Sequence, residues 1–388
     1  MKETLNNMRN DKIQIKSCEV LSELPDLFAL NNGDKVETIE QWARKRQEMI
    51  ASAVELQYGT MPPNPEFLEV EPLDRDSLIC NFRITTGRKS SPLSFVMRAI
   101  LPSEKKSFPA IINGDLCWEY AFDREYIEAV TNQGIMLVLF NRTELAADLP
   151  DVERKSPLYR AYPEYSFGAV AAWAWGFSRC VDALQILGLA DMEHIAFNGH
   201  SRGGKAALLA GAMDSRACVV NPNNSGAGGA GCYRVHMTAQ LPGGKTNRSE
   251  QLSDLLKEFP EWFSKELAAY RDKESELPFD QHYIKSLVAP RLLLQTEATE
   301  DIWANPLGTL HTTLAAKEAY RFLGAEDQIV LCWRDGAHHH TASDIGLLAK
   351  VLMQKKQGLP VSADSYDPFP FAEKEQIFSW LCSKKMEE

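Results

Sequence analysis

The pentapeptide Gly199-His200-Ser201-Arg202-Gly203 has the residue types that a nucleophilic serine requires. A serine hydroxyl stands clear for attack only on a turn too tight for side chains two residues to either side. Glycines at those two places let a strand reverse into a helix while the hydroxyl stays exposed. The flanks agree: HIAFNGH (194–200) is a short β-like apolar segment, and KAALLAGA (205–212) is a run of helix formers. A glycine turn with a capping serine is the plainer alternative. Arg202 follows the serine, and Lys205 lies one helical turn along the same face. Cations suit a helix C-terminus, whereas these two sit in the first turn, where the dipole already favours anions. Their placement points to a negatively charged visitor: a tetrahedral oxyanion, a substrate carboxylate, or both.

A serine needs a base to take its proton, usually a histidine oriented by a carboxylate. The histidines downstream are His236, His282, His311, His338, His339 and His340. Only the last three directly follow a late strand candidate (328–334), through the turn Asp335-Gly336-Ala337. Three adjacent histidines cannot all face one site, and His338 is the favoured base. The triplet lacks the HExxH spacing that puts metal ligands on one side, so no metal is expected. The acid belongs on the loop after the preceding strand candidate (291–296), where Asp301 is favoured and Glu300 and Glu297 are fallbacks. The order Ser201, Asp301, His338 is that of α/β-hydrolases.

These residues need a scaffold that brings distant loops together. IMLVLFN (135–141) is a continuous apolar run, as for a strand covered on both faces. A long Ala/Trp-rich helix is expected over 169–187, and further strands over 194–200, 217–220, 291–296 and 328–334. Such alternation predicts a three-layer α/β/α fold with a mostly parallel central sheet. Earlier strand-like segments lie at 78–84, 93–101 and 108–112, and a helix at 40–56 is ended by Pro62, Pro63 and Pro65. Residues 1 to about 40 read as an extension crossing the surface. With no linker or repeat, the expectation is one α/β domain over 1–388, with 1–60 as an N-terminal extension and helix packed on it.

The 388 residues are 44% hydrophobic and 24% charged, an ordinary globular composition. Lys plus Arg total 42 against 53 Asp plus Glu, a net charge of −11. That balance argues against nucleic-acid partners and anionic membranes. The apolar run 167–177 is too short to span a bilayer. The opening MKETLNNMRNDK has no apolar stretch of a secretory signal, so a cytoplasmic protein is expected. The eight cysteines are scattered without CxxC and read as reduced thiols.

GHSRGGK (199–205) resembles the G-x-S-R-x-G-K signature of the glucuronoyl esterases, family 15 of the carbohydrate esterases. Other blocks agree in order: AAWAWGFSRCVDAL (171–184), NSGAGGAG (224–231), FPEWFS (259–264), LPFDQH (277–282), APRLLL (289–294), EDIWANPLGT (300–309) and RDGAHHHTASD (334–344). The resemblance implies an α/β-hydrolase fold and a serine esterase that hydrolyses uronic-acid esters of a small carbohydrate, without metal or cofactor. It implies Ser201 as nucleophile, His338 as base, and Arg202 stabilising the oxyanion alongside backbone N–H groups. It places Lys205, Glu250 and Trp303 where sugar hydroxyls are held; surface charge and core aromatic are the plainer readings of the last two. Many relatives carry their acid as a Glu immediately before the SGxGG block, where this chain has Asn224, so the acid role moves to Asp301. The stretch between 231 and 250 is longer than in that family.

The same residues leave four alternatives open. They are a carbohydrate O-acetyl esterase, a pectic uronate methyl esterase, a non-catalytic sugar-binding relative, and a dinucleotide-binding oxidoreductase. The last rests on a GxGxxG match at 226–231, which lacks an obvious helix after it and an acidic residue about 20 positions on.

Overall fold

Twelve strands organise the computed structural model, which describes residues 13–103, 107–150, 153–241, 243–361 and 376–382. In chain order they are β1 (Gln14–Val20), β2 (Phe67–Asp76), β3 (Ile79–Arg88), β4 (Ser91–Ile100), β5 (Phe108–Asn113) and β6 (Met136–Phe140), then β7 (Ala190–His200), β8 (Val219–Asn223), β9 (Val235–Gln240), β10 (Thr246–Arg248), β11 (Leu292–Ala298) and β12 (Ile329–Arg334). Nine of them form one sheet in the order β12-β11-β8-β7-β5-β6-β4-β3-β2. The six from β12 to β6 run parallel. β4, β3 and β2 continue the sheet antiparallel.

Alternate residues of the parallel strands enter different cores. Ile112, Val138, Phe197, Val220 and Leu293 face the larger one, with the helices Ala169–Leu187, Arg202–Met213 and Gln281–Val288. Ile111, Leu137, Ala196, Val219 and Leu292 face the other, beneath the helices Arg124–Thr131 and Ala342–Lys356. Burial on both faces is why these strands read as unbroken apolar runs. The result is an α/β-hydrolase fold with three layers.

Two readings of the sequence need correction, those of the N-terminal segment and of strand β2, while the helix over 40–56 is present with a π-helical stretch inside it. Residues from 13 onward do more than cross the surface: β1 pairs with β9, and Leu24, Leu27, Phe28, Leu30 and Val36 are buried. That segment lacks periodicity because it packs as loop, its carbonyls at Asp26 and Ala29 accepting from the buried Lys45 amine at 3.3 and 2.7 Å. The first twelve residues of the expected extension lie outside the described residues. The helix expected over 40–56 begins at a Thr38–Gln41 capping box and runs Ile39–Met49. It then widens into a π-helical stretch, Ile50–Glu55, before a last turn, Leu56–Tyr58. Strand β2 went unread because EVEPLDRD is polar. It is a sheet edge, largely exposed, with a register shift beside Pro72, where a missing N–H is tolerated.

A buried asparagine ladder crosses the sheet just below the carboxyl ends of its strands. Asn113 Nδ2 donates to Asn198 Oδ1 at 2.7 Å, and Asn198 Nδ2 donates to Asn221 Oδ1 at 2.7 Å. Asn221 Nδ2 in turn donates to the Leu294 carbonyl at 2.7 Å. All three amides are fully buried, so each depends on the next for its partner. Asn198→Leu strands a donor on one side and an acceptor on the other. It is expected to destabilise the protein by about 3 kcal/mol, measured as a lower urea midpoint at unchanged slope.

Candidate active site

Strand β7 ends at His200, and the helix Arg202–Met213 starts one residue after the turn. Ser201 sits between them at φ 54°, ψ −121°, a backbone region that a residue with a Cβ occupies only under strain. Neighbours hold it there: the Ser201 N–H donates to the Asn223 carbonyl at 2.9 Å. A Cβ at position 199 would run into the Gly203 carbonyl, and one at 203 into the Asp115 carboxylate. The two glycines are therefore required by close approach. The first helical N–H to find a partner in its own helix is that of Lys205, bonded to the Ser201 carbonyl. Those of Arg202, Gly203 and Gly204 precede it at the positive end of the helix dipole.

Asp115, on the loop after β5, lies beneath the turn. It accepts from the His200 N–H at 3.1 Å, from the Tyr120 hydroxyl and from the buried Arg142 guanidinium. Burial lowers Arg142 to about 10, and its guanidinium carbon lies 4.9 Å from the centre of the Trp173 ring.

Ser201 and His338 line the same cavity, of about 420 Å3, together with Trp118, Tyr120, His200, Arg202, His339 and His340. His338 Nδ1 lies 2.5 Å from Asp301 Oδ2. The imidazole is 39% exposed and the carboxylate 2%, so a buried anion backs a ring that opens on the cavity. Asp301 accepts at Nδ1, so the Nδ1–H tautomer is fixed and Nε2 carries the lone pair. The other two histidines differ in surroundings. His339 is exposed, whereas His340 is buried between Tyr120 and Tyr126, 5.1 Å from each ring centre, and burial lowers it to about 4.

Among the described residues the carboxylate hydrogen-bonded to His338 is that of Asp301, not that of either fallback acid. Glu297 is fully buried, neither carboxylate oxygen has a hydrogen-bond partner among the described residues, and burial pushes its pKa well up. Glu300 is tied by its backbone N–H to the Gly336 carbonyl. Asn224 is buried with its Oδ1 accepting from the Ala298 N–H at 2.8 Å; it braces the start of the Asp301 loop.

Arg202 reaches across the mouth of the cavity to Asp148, Nη1 to Oδ2 at 3.0 Å. Its guanidinium lies over the rings of Trp262 and Phe259, at 4.7 and 4.9 Å. Asp148 also accepts from the Trp262 indole N–H at 2.9 Å. Lys205 turns inward and is buried. Its ammonium donates to the Ser225 and Ala227 carbonyls at 2.8 and 2.5 Å and pairs with Glu250 at 3.2 Å. Burial lowers Lys205 and raises Glu250, and each opposes the other's shift by its charge. The first-turn cations are thus already matched, by Asp148 and Glu250, so their position does not by itself require an anionic ligand. The glycine-rich run 226–231 opens no helix, and its Ala227 carbonyl, with that of Ser225 just before it, accepts from the Lys205 ammonium. Trp303 stands 42% exposed, its carbonyl accepting from the Glu250 N–H at 3.0 Å and its ring 5.6 Å from the Arg248 guanidinium.

Sequence reasoning did not reach Asp115, Arg142, Asp148 or Asn223. Each acts through a residue far away in the chain, and none stands in a pattern of spacing that would reveal it.

Comparison with known proteins identifies relatives of the chain. A family model described as "Glucuronyl esterase, fungi" matches residues 84–324. The 4-O-methyl-glucuronoyl methylesterase of Hypocrea jecorina is 32% identical over 326 residues, 83% of this chain and 66% of that protein. The chain thus spans about two thirds of the length of that curated relative. A family 15 glucuronoyl esterase from Caldicellulosiruptor kristjansonii superposes with a TM-score of 0.78 at 28% identity, over 92% of this chain and 97% of that one. A serine-to-alanine variant of the Sporotrichum thermophile glucuronoyl esterase, solved with methyl 4-O-methyl-β-D-glucopyranuronate, gives 0.71 at 25% identity, over 92% and 95%. With the family model matched over residues 84–324 and a relative 32% identical over 83% of the chain, the chain belongs to the glucuronoyl esterase family.

Proposed function

We propose that this protein hydrolyses the ester of a uronic-acid carboxyl group through a serine acyl-enzyme. The observation that carries the reading is the shared cavity: a serine on a strained turn and an imidazole whose far nitrogen is held by a buried carboxylate. His338 Nε2 takes the proton as Ser201 Oγ attacks the ester carbonyl. Arg202 and the first-turn N–H groups face the charge that develops on oxygen, each donor being worth about 3 kcal/mol. Asp301 holds the imidazolium without taking its proton. His338 then protonates the leaving alcohol, and water, deprotonated by the same imidazole, releases the uronic acid. Lys205 and Glu250 are enclosed with each other, so the exposed ring of Trp303 is what this trio presents to the sugar. Likeness to relatives named for 4-O-methyl-glucuronoyl methyl esters favours glucuronate over galacturonate.

Four substrates separate the readings: methyl glucuronate, benzyl glucuronate, methyl galacturonate and an O-acetyl xylosyl ester. Glucuronate esters are expected to have the highest kcat/KM, and a strong preference for the acetyl ester would replace this reading with a deacetylase. Ser201→Ala is expected to lower kcat on benzyl glucuronate by at least about 10⁴-fold with the far-ultraviolet circular dichroism unchanged. Ser201→Gly should be equally inactive yet more stable by about 1 kcal/mol, because glycine relieves the strain at φ 54°; a lower urea midpoint would contradict the strain.

Asp301→Asn is expected to reduce kcat by about 10³- to 10⁴-fold, whereas Asn224→Ala should cost stability and change kcat by only a few-fold. Steady-state kinetics on the same ester decide between them, and the opposite ranking would return the acid role to the 224 loop.

A further inference from the structure

His200 precedes the serine, and its side chain is fixed by a chain of polar contacts that the proposed reaction does not use. Asn223 Nδ2 donates to the Thr296 carbonyl at 3.1 Å. A carbonyl can only accept, so the Asn223 amide is oriented with Oδ1 toward His200. That oxygen lies 2.6 Å from His200 Nδ1, which therefore carries the hydrogen. Burial, and then the neighbouring His338 and His340, lower this imidazole well below the usual histidine range. The ring is thus neutral with a bare lone pair on Nε2, an atom with no hydrogen-bond partner among the described residues. The ring lines the active cavity.

Several other polar groups along this wall are occupied, although His340 Nε2 is buried without a partner among the described residues. The Tyr120 hydroxyl donates to Asp115, His340 Nδ1 faces the Tyr126 hydroxyl, and Arg202 is paired with Asp148. His200 also packs against the catalytic imidazole of the proposed mechanism, ring centres 4.5 Å apart and planes tilted by 42°. That imidazole hands its proton to the departing alcohol, so the alcohol half of the ester is the part that passes His200. Lys205, Glu250 and Trp303, the set that the resemblance assigns to the sugar, do not line this cavity. A cavity of about 420 Å3 is also far larger than methanol requires.

We infer that His200 is a specificity residue whose Nε2 accepts a hydrogen bond from a second hydroxyl group on the leaving alcohol, so that the preferred esters are those of diols or polyols. The inference rests on the esterase reading above and deepens it. An acceptor that faces only alkyl groups stays unpaired in the complex, and that penalty separates hydroxylated from plain alcohols.

The test is a series of glucuronate esters in isosteric pairs: 2-hydroxyethyl against propyl, 3-hydroxypropyl against butyl, and 4-hydroxybutyl against pentyl. Each ratio of kcat/KM is normalised to alkaline hydrolysis of the same pair, and kcat/KM is the right quantity because it includes departure of the alcohol. In the wild-type protein at least one hydroxylated ester is expected to be preferred by about tenfold, and in His200→Phe that ratio falls to about one. Ratios near one throughout the wild-type series, or a preference that survives His200→Phe, overturn the inference. The wild-type series decides even if the variant does not fold. Turnover of none of the six esters removes the esterase reading itself, and this inference with it.

Discussion

The bend at Ser201 is the constraint around which the rest is arranged. A non-glycine residue at φ 54°, ψ −121° costs of order 1–3 kcal/mol, and the fold must supply that from its surroundings. It does so with the Asn223 carbonyl above the Ser201 N–H, with glycines packed too closely for any side chain, and with Asp115 beneath. Asp115 is a buried carboxylate, and Arg142 is the buried cation that makes it tolerable. Removing either member alone would leave an uncompensated charge in the core, a loss of about 3–5 kcal/mol. Arg142 lies in turn over Trp173 of the helix Ala169–Leu187. The Ala/Trp-rich helix and the nucleophile turn are in this way parts of one support.

Charge around the turn is organised in matched pairs. Arg202 faces Asp148, Lys205 faces Glu250, His338 faces Asp301 and Arg142 faces Asp115. Three of the four carboxylates sit on loops at the carboxyl ends of strands or just beyond them, which is where a parallel sheet gathers residues from distant parts of the chain. The partners are buried to different depths. Lys205 and Arg142 are enclosed, whereas Arg202 and His338 keep open faces on the cavity. Enclosed pairs hold shape, and open ones can respond to a ligand.

What the sequence disclosed tracks the range of the interactions involved. The serine turn was legible because its requirements are local: two glycines, an apolar strand before, helix formers after. The parallel strands were legible because burial on both faces leaves an unbroken apolar run. His338 and Asp301 could be singled out only by their places after late strands, and the 2.5 Å contact between them is a fact of folding that no spacing displays. The polar edge strand β2 and the hairpin β9–β10 were not legible, since neither carries a period that burial imposes. Nor was the fate of Lys205. Its place in the first helical turn suggested an exposed charge awaiting an anion, but the 225–227 carbonyls and Glu250 enclose it. A helix position states which residues are neighbours in the helix, not which loop arrives to cover them.

That enclosure bears on how the proposed reaction would favour its substrate over its product. A uronate ester is neutral at its reacting carbon, whereas the acid released from it is an anion. If Arg202 and Lys205 were free cations, the product carboxylate would bind more tightly than the ester and would leave slowly. Asp148 and Glu250 already pair with them in the resting site. Among the described residues lining the cavity, the arginine that the carboxylate would meet is already paired with Asp148. In the proposed reaction charge develops on the tetrahedral oxygen, and Arg202, which lines the cavity over Trp262 and Phe259, is the cation beside it. Pairing that looks like simple neutralisation in the resting state thus becomes a means of binding the transition state in preference to the released acid.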